Sequence, residues 1–236
     1  MKLIKYSVNY INEVNHLPSE EITVNITKVH FKNKAINKTH IFNLIKKSLK
    51  SLLIPNTLER KAILIAYLQG VQPEKIKRNL VNLKKPKARM EEVGVIDGVT
   101  YINDTTATIP EATKFALENI GSDKKIVLIM GGGDKRLLYD DLAETIKRSS
   151  VKSIVLLPGE ATKKIKASLV GVFGDQLPAM IQAKTMEGAV RAAQKEAQSG
   201  EIVLLSPAAT SFGLFKHEFD REKKYLEAIN KIRARK

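Results

Sequence analysis

The chain has 236 residues, a formal net charge of +15, no cysteine and an apolar fraction of 43%. This length allows one large domain or one domain plus part of another, and the apolar fraction is sufficient for a buried core. The lack of cysteine excludes a disulfide-stabilised scaffold and fits a reducing compartment. No apolar run is long enough to cross a bilayer and no signal-peptide pattern follows Met1, so we expect a cytoplasmic protein with no membrane partner.

The positive charge is concentrated in the first part of the sequence. Residues 1–97 carry 18 Lys and Arg against 8 Asp and Glu, whereas residues 98–236 carry 22 against 17. Such an excess is compatible with binding to nucleic acid or with a solvated, lysine-rich surface that attracts polyphosphate ligands. Because no basic motif interleaved with aromatic residues occurs, we favour the solvated surface and predict no nucleic-acid partner.

The first 97 residues contain the weaker structural patterns. Alternation of apolar and polar residues predicts a hairpin over 22–36, and helical spacing of apolar residues predicts helices over 40–53, 57–70 and 73–83. Gly70 is placed to end the second helix. A polar, proline-containing joint follows at 84–87, and we place a domain boundary just after it, near residue 97.

From residue 98 onward, short apolar runs alternate with helical patterns. We predict strands at 99–103, 125–130, 152–157, 180–183 and 201–206, and helices at 110–120, 139–149, 159–167, 186–198 and 216–233. This alternation is typical of a doubly wound sheet with parallel strands. The sequence therefore predicts an α/β protein whose C-terminal, Rossmann-like domain has a mostly parallel sheet and follows a partial α/β domain.

Three of the predicted strands run directly into small and polar residues. They end in the segments Asn-Asp-Thr-Thr-Ala-Thr (103–108), Gly-Gly-Gly-Asp-Lys (131–135) and Leu-Ser-Pro-Ala-Ala-Thr-Ser-Phe (205–212). Ligands of open α/β sheets bind outside the carboxyl ends of the strands. We therefore expect the functional site at these three segments.

In their order and residues, the three segments resemble motifs of the C-terminal domain of the Mur ligases, most of all those of the members that add D-glutamate. The corresponding family patterns are NDSKAT, GGxDK and LSPAxASFxxFKxFxxRG, and the last of them continues here to Arg221. The resemblance is good from Ile54 to the C-terminus and weak over residues 1–53. Three motifs in the right order make it specific, whereas a run of glycines alone would not.

This resemblance implies an ATP-dependent amide ligation, which adds D-glutamate to UDP-N-acetylmuramoyl-L-alanine in the synthesis of peptidoglycan precursors. Residues 1–97 correspond to the end of the central ATPase domain and residues 98–236 to the C-terminal domain. No phosphate-binding G-x-x-x-x-G-K-[ST] motif occurs in the sequence. We therefore expect a fragment, a shortened chain or a gene product without its front half, which is inactive alone. The resemblance implies ATP and Mg²⁺ for the complete enzyme, with the metal ligands outside this chain, and a monomer.

The resemblance also implies an amino-acid pocket at the strand ends. It places Lys135 on the family's glutamate-binding lysine, and charge-assisted donors suit a ligand with two carboxylates. Thr108 and Ser211 offer hydroxyl groups, although each could instead cap a helix. Phe212 would form an apolar wall, and Phe219 resembles the second aromatic residue of the pocket. Phe219 lies one position off the usual spacing, and a core position on the last helix is an equal alternative for it.

A nucleotide site follows from the same resemblance. Asp104 corresponds to the aspartate that binds the ribose of ATP. Arg89 resembles the arginine of the family's HRxE pattern at the domain joint, although it could be one more charge of a basic linker. Asn56 stands within the segment that corresponds to the family's HNxxN pattern beside the adenine.

Several residues depart from the family patterns. Thr57 and Arg60 stand where the two asparagines of HNxxN are expected, Thr106 replaces the lysine of NDSKAT, and Glu222 replaces the last glycine. The four histidines form no pair with metal-ligand spacing. Two alternatives to the D-glutamate ligase therefore stay open. One is a sister Mur or folylpolyglutamate-type ligase, and the other is a degenerate, non-catalytic binding module.

Overall fold

The computed structural model of the protein describes residue 66 and residues 70–80, 86–120 and 123–234. Clustering of contacts divides the chain into two compact units, Met1–Leu83 and Lys84–Lys236. The hairpin over 22–36, the helix over 40–53 and Asn56 lie outside the described residues. No helix in the described part of the chain is both long and apolar enough to span a bilayer.

The described part of the first unit contains one complete helix, α1 (Pro73–Leu80). Ala66 is helical, and Gly70 follows in a turn with φ of +84°. The Val71 amide donates to the Ala66 carbonyl at 3.0 Å, the hydrogen bond that closes a helix on a left-handed glycine. The prediction that Gly70 ends a helix is thus confirmed.

The second unit alternates strands and helices along its whole length. Its strands are β1 (Glu91–Ile96), β2 (Val99–Asn103), β3 (Ile126–Met130), β4 (Val151–Leu156), β5 (Ala179–Gln182) and β6 (Ile202–Leu205). Its helices are α2 (Pro110–Asn119), α3 (Asp140–Arg148), α4 (Glu160–Phe173), α5 (Met186–Glu196) and α6 (Glu218–Arg233), with a 3₁₀ turn at Gly174–Gln176. Most bounds lie within two residues of those predicted, whereas α4 continues six residues further because Leu169 is buried.

The six strands form one sheet in the order β1-β2-β6-β3-β4-β5. All neighbouring pairs are parallel except β1 and β2. Strands β3 and β6 are buried at every residue, as expected for central strands covered on both faces. The predicted α/β class and the mostly parallel sheet are confirmed.

Two hydrophobic cores cover the two faces of the sheet. Helices α2, α3 and α4 pack on one face, where they meet alternate strand residues such as Leu128 and Leu204. Helices α5 and α6 pack on the other face against the intervening residues, among them Val127 and Val203. The period of two along a strand explains why a continuous apolar run supplies both cores. This packing fixes the strand ends at which the candidate site lies.

Strand β1 was missed by the sequence analysis. It pairs antiparallel with β2, from Glu91 opposite Asn103 to Ile96 opposite Val99. The two-residue turn between them, Asp97-Gly98, has φ of +55° and +76°, which this dipeptide adopts readily. Strand β1 thus lies within the compact unit Lys84–Lys236.

Candidate functional site

The three predicted segments meet because β2, β6 and β3 are neighbours in the sheet. The Asp104 amide donates to the Leu205 carbonyl at 2.8 Å, which joins the loop after β2 to β6. Gly133 and Thr210 exchange two backbone hydrogen bonds of 2.9 and 3.1 Å, which join the loops after β3 and β6. The sequence prediction that these segments form one site is supported by this geometry.

The glycines of the loop after β3 permit the close approach of the two loops. A Cβ atom on Gly132 would lie 2.1 Å from the Thr210 carbonyl oxygen, and one on Gly133 would lie 2.4 Å from the Thr210 hydroxyl. Gly132 also has a φ of +143°, which other residues rarely adopt. These positions therefore require glycine for packing, before any ligand is considered.

Lys135 and Thr108 come together across the site. The Lys135 ammonium donates to the Thr108 hydroxyl at 3.3 Å. Thr108 does not cap the following helix, because the N-cap of α2 is Ile109 and no side chain bonds to the helix end. Within the described residues no carboxylate forms a salt bridge with Lys135, so its charge is open to an anionic ligand.

Ser211 and Phe212 lie in the loop after β6, whereas Phe219 lies in the first turn of α6. Ser211 is buried and caps no helix, since the N-cap of α6 is His217. The side chains of Phe212 and Phe219 are 64% and 55% exposed. Phe219 is therefore not a core residue of α6. Its ring packs edge-on against the ring of His217, with 6.1 Å between the two ring centroids. An exposed aromatic side chain such as that of Phe212, in the loop after β6, is available to a ligand.

Asp104 lies in the buried half of the site. Its carboxylate is 2% exposed and accepts hydrogen bonds from the Ser206 hydroxyl at 2.8 Å and the Met90 amide at 3.2 Å. Burial raises the pKa of Asp104 to about 6, against the lowering effects of these hydrogen bonds and of the Arg89 charge. The backbone at Met90 therefore lies directly against the Asp104 carboxylate.

The turn at residues 88–91 covers Asp104 and holds Arg89. Ala88 and Met90 have φ of +58° and +45°, conformations that are strained in residues other than glycine. The Thr106 hydroxyl and amide both donate to the Ala88 carbonyl, and the Ala88 amide donates to Glu91. Thr106, which replaces a family lysine, therefore fastens the turn instead of offering a charge to a ligand.

Arg221 joins two of the site loops, a role that the sequence analysis did not assign. Its side chain is fully buried and donates to the Thr105 hydroxyl at 2.9 Å, the Thr105 carbonyl at 2.7 Å and the Ala209 carbonyl at 3.1 Å. Burial lowers the pKa of Arg221 to about 10, so the guanidinium stays charged at neutral pH. The carboxylate of the next residue, Glu222, accepts a hydrogen bond from the side-chain amide of Asn103 at 3.1 Å. The only sequence signal was the place of Arg221 at the end of the third motif.

No metal site is evident in this part of the chain. Among the residues that the structure describes, no three His, Asp or Glu side chains lie close enough together to hold a metal ion. A cavity of about 340 Å³ lies beside the turn at 88–91 and is lined by Pro86, Lys87, Met90, Glu91, Glu92 and Ile102.

Comparison with known proteins gives relatives for most of the chain. The UDP-N-acetylmuramoylalanine--D-glutamate ligase of Roseiflexus sp. (strain RS-1) is 42% identical over 169 residues, which are 68% of this chain and 34% of the relative. The ligase of the same name from Clostridioides difficile (strain 630) is 37% identical over 172 residues, 73% of this chain and 37% of the relative. The chain thus spans about a third of the length of these curated relatives.

Solved structures agree on the fold. A pseudomurein peptide ligase type C from Methanothermus fervidus superposes with a TM-score of 0.54 at 16% identity, over 74% of this chain and 35% of the other. A family model described as Mur ligase, glutamate ligase domain, matches residues 88–209, about half of the chain. The strand-end motifs, the sheet and these matches lead to one conclusion: the chain belongs to the Mur ligase family and contains its glutamate ligase domain.

Proposed function

We propose that this chain is the C-terminal portion of an ATP-dependent ligase that adds D-glutamate to UDP-N-acetylmuramoyl-L-alanine. The observation that carries the proposal is the Lys135 ammonium, held 3.3 Å from the Thr108 hydroxyl and free of any carboxylate in the described residues. The relatives named as D-glutamate ligases support this choice within the family. In this proposal the protein is cytoplasmic, and its partners are small molecules.

The amino-acid side of the site would be formed by the loops after β2, β3 and β6. Lys135 would bind one carboxylate of glutamate by a charge-assisted hydrogen bond, the strongest kind available to a side chain. The hydroxyl groups of Thr108 and Ser211 would add neutral donors. Phe212 and Phe219, both more than half exposed, would cover the methylene groups of the ligand. The loops would thereby orient the amino group of glutamate toward its reaction partner.

The nucleotide side would lie around Asp104 and Arg89, whereas Asn56 lies outside the described residues and stays a prediction from the family resemblance. The ribose would bind to Asp104 after the turn at 88–91 shifts, and the Arg89 charge would attract the phosphates. ATP and Mg²⁺ are proposed for the complete enzyme, and the described residues supply no cluster for the metal.

The proposed reaction has two steps. ATP first phosphorylates the carboxylate of the acceptor, and the glutamate amine then displaces phosphate from the acyl phosphate to form the amide. The residues of this chain bind and orient glutamate in the second step. Because the 236 residues contain no G-x-x-x-x-G-K-[ST] motif, we expect no ATP hydrolysis by the chain alone.

An NMR titration of the 236-residue chain tests the amino-acid site. D-glutamate should shift the amide resonances of Thr108, Lys135 and Ser211, and L-lysine, which has no second carboxylate, should shift them less. Shifts elsewhere in the chain only, or equal shifts with L-lysine, would contradict the proposal.

A degenerate, non-catalytic binding module is the second candidate. The observation that favours it is the turn at 88–91, fastened by Thr106 over a buried Asp104. A chimera separates the two candidates. The part of the Roseiflexus ligase that precedes the region matched by this chain would be joined to it, and ADP formation from ATP would be measured with UDP-N-acetylmuramoyl-L-alanine present, with and without D-glutamate. Formation that depends on D-glutamate supports the ligase, and its absence, together with intact binding of glutamate, supports the module.

A further inference from the structure

The first turn of α4 lies behind the loop that carries Lys135. The Ala161 amide donates to the Gly132 carbonyl at 3.0 Å, and the Gly132 amide donates to the Thr162 hydroxyl at 3.1 Å. The Thr162 hydroxyl in turn donates to the Leu157 carbonyl at 2.6 Å. The backbone before Asp134 is therefore fixed to α4 by two hydrogen bonds, and the third holds the Thr162 side chain in place.

Asp134 continues this attachment through its side chain. One carboxylate oxygen accepts from the Arg136 amide at 2.8 Å, which supports the left-handed φ of +60° at Arg136. The other oxygen accepts from the Lys164 ammonium on α4 at 2.5 Å. The Asp134 side chain is 19% exposed and that of Lys164 is 49% exposed. Lys164, by its hydrogen bond and its charge, lowers the pKa of the Asp134 carboxyl.

We propose that Lys164 is a positioning residue for Lys135: by binding and neutralising Asp134, it keeps that carboxylate away from the adjacent ammonium, which stays with Thr108 and ready for a substrate carboxylate. The inference rests on the proposed function for its ligand, glutamate. No motif of the sequence contains Lys164, and only the structure brings it to the site.

The electrostatic argument follows from the order of the two residues. Asp134 precedes Lys135 directly, and an unpaired carboxylate at that place would compete with the substrate for the Lys135 ammonium. It would also repel glutamate, which carries a net negative charge. The ion pair with Lys164 removes both effects without contact between Lys164 and the ligand.

The first test uses lysines of the same helix. Lys166 is exposed on α4 and forms no salt bridge within the described residues, so Lys166→Gln removes the same charge as Lys164→Gln and serves as a matched control. The D-glutamate affinity is measured by NMR titration of the full chain. We expect Lys164→Gln to weaken it about three- to fivefold, the range for a partly exposed ion pair. Lys164→Arg should retain it. Equal affinities of the Lys164→Gln and Lys166→Gln variants would overturn the proposal.

The second test needs no ligand and therefore separates this inference from the proposed function. Trace acylation with acetic anhydride, read by mass spectrometry, reports the reactivity of each lysine. In Lys164→Gln, Asp134 should pair with Lys135 and slow its acylation, and adding Asp134→Asn should restore the rate. An unchanged acylation rate of Lys135 in Lys164→Gln would overturn the inference even if glutamate binds.

If the wild-type chain binds no D-glutamate but the acylation of Lys135 responds as expected, the proposed function fails and the positioning role stands. Urea unfolding confirms that each variant is folded.

Discussion

The candidate site has a buried half and an exposed half, and they are built differently. In the buried half, Asp104, Thr105, Ser206 and Arg221 are all at most 2% exposed and are linked by hydrogen bonds of 2.7–2.9 Å. In the exposed half, the Lys135 side chain makes a single hydrogen bond of 3.3 Å, and Phe212 and Phe219 are more than half exposed. The buried half therefore sets the geometry of the loops, whereas the exposed half is left available for contact with a ligand.

This difference separates stability from binding. A buried polar group that loses its hydrogen-bond partner lowers the free energy of unfolding. Replacing an exposed side chain that makes few contacts changes this free energy little. Substitutions in the buried half should therefore act on the free energy of unfolding, and substitutions in the exposed half on affinity for the amino acid. Each of the following substitutions tests either the expected effect on unfolding free energy or the expected effect on affinity.

The largest effect is expected for Arg221→Met. The substitution leaves the Thr105 carbonyl and the Ala209 carbonyl without their donors in a buried place. We expect the free energy of unfolding to fall by about 3 kcal/mol or more, since each unsatisfied buried group costs about 1–3 kcal/mol. Urea denaturation measures it, with Arg191→Met as the control because Arg191 forms only a surface pair with Glu187. A loss of unfolding free energy no larger than that of Arg191→Met would show that the buried hydrogen bonds of Arg221 do not stabilise the fold.

The next effect concerns Asp104 and pH. Its pKa is raised to about 6 in the folded chain, above the ordinary value of 3.8, so the folded state binds the proton more tightly. The stability contributed by this group should therefore fall as pH rises from about 4 to about 7, by roughly 2–3 kcal/mol. Asp104→Asn should remove this part of the pH dependence and be at least as stable as the wild type at pH 7.

Urea midpoints of the wild-type and Asp104→Asn chains between pH 4 and pH 7.5 provide the measurement. The other titrating groups are common to both chains, so the difference between the two curves isolates Asp104. Parallel curves would mean that Asp104 titrates in its ordinary range.

In the exposed half, Lys135→Ala should weaken D-glutamate binding about tenfold or more, because a charge-assisted hydrogen bond contributes about 1.5–3 kcal/mol. Its free energy of unfolding should stay within about 0.5 kcal/mol of the wild type. Although Ser211 is buried, Ser211→Ala removes only a neutral donor and should weaken binding less than Lys135→Ala. Isothermal titration calorimetry and urea unfolding on the same preparations provide both values. A large loss of stability in Lys135→Ala would contradict the expectation that the exposed half affects binding and not folding.

The smallest effect is expected for Phe219→Ala. With 55% of the side chain exposed, the stability should change by no more than about 0.5 kcal/mol. Affinity for D-glutamate should fall modestly, about twofold to threefold, if the ring covers the ligand. Phe219→Leu, which keeps apolar area, is the matched variant and should bind more tightly than Phe219→Ala. Equal affinity of wild type and Phe219→Ala would remove Phe219 from the pocket.

Much of the fold was predictable because burial leaves a strong pattern. Strands β3 and β6 are short apolar runs buried on both faces, and the polar residues after them mark the strand ends. Strand β1 was missed because its sequence, Glu-Glu-Val-Gly-Val-Ile, begins with two charges, contains a glycine and is only partly buried. Its signal was the Asp97-Gly98 dipeptide, which favours a tight hairpin.

The sequence indicated which segments form the candidate site, but not which of their side chains are buried. Lys135 and Thr108 meet because they follow β3 and β2, two parallel strands that both pair with β6 and end at the same edge of the sheet. The burial of Asp104 and the hydrogen bonds of Arg221 depend on side chains that are far apart in sequence, 116 residues between Arg221 and Thr105. A local sequence pattern does not predict contacts between residues that are distant in sequence, so these roles could be assigned only from the structure.

The antiparallel pairing of β1 with β2 has a practical consequence for preparing this domain. A polypeptide that starts at residue 98 would lose β1, and the backbone N–H and C=O groups of β2 that face it would become an open sheet edge. Val99 and Tyr101, now 4% and 1% exposed, lie along that edge. Open, apolar edges recruit strands from other molecules, so such a preparation should self-associate, whereas one that starts at Lys84 keeps the edge covered.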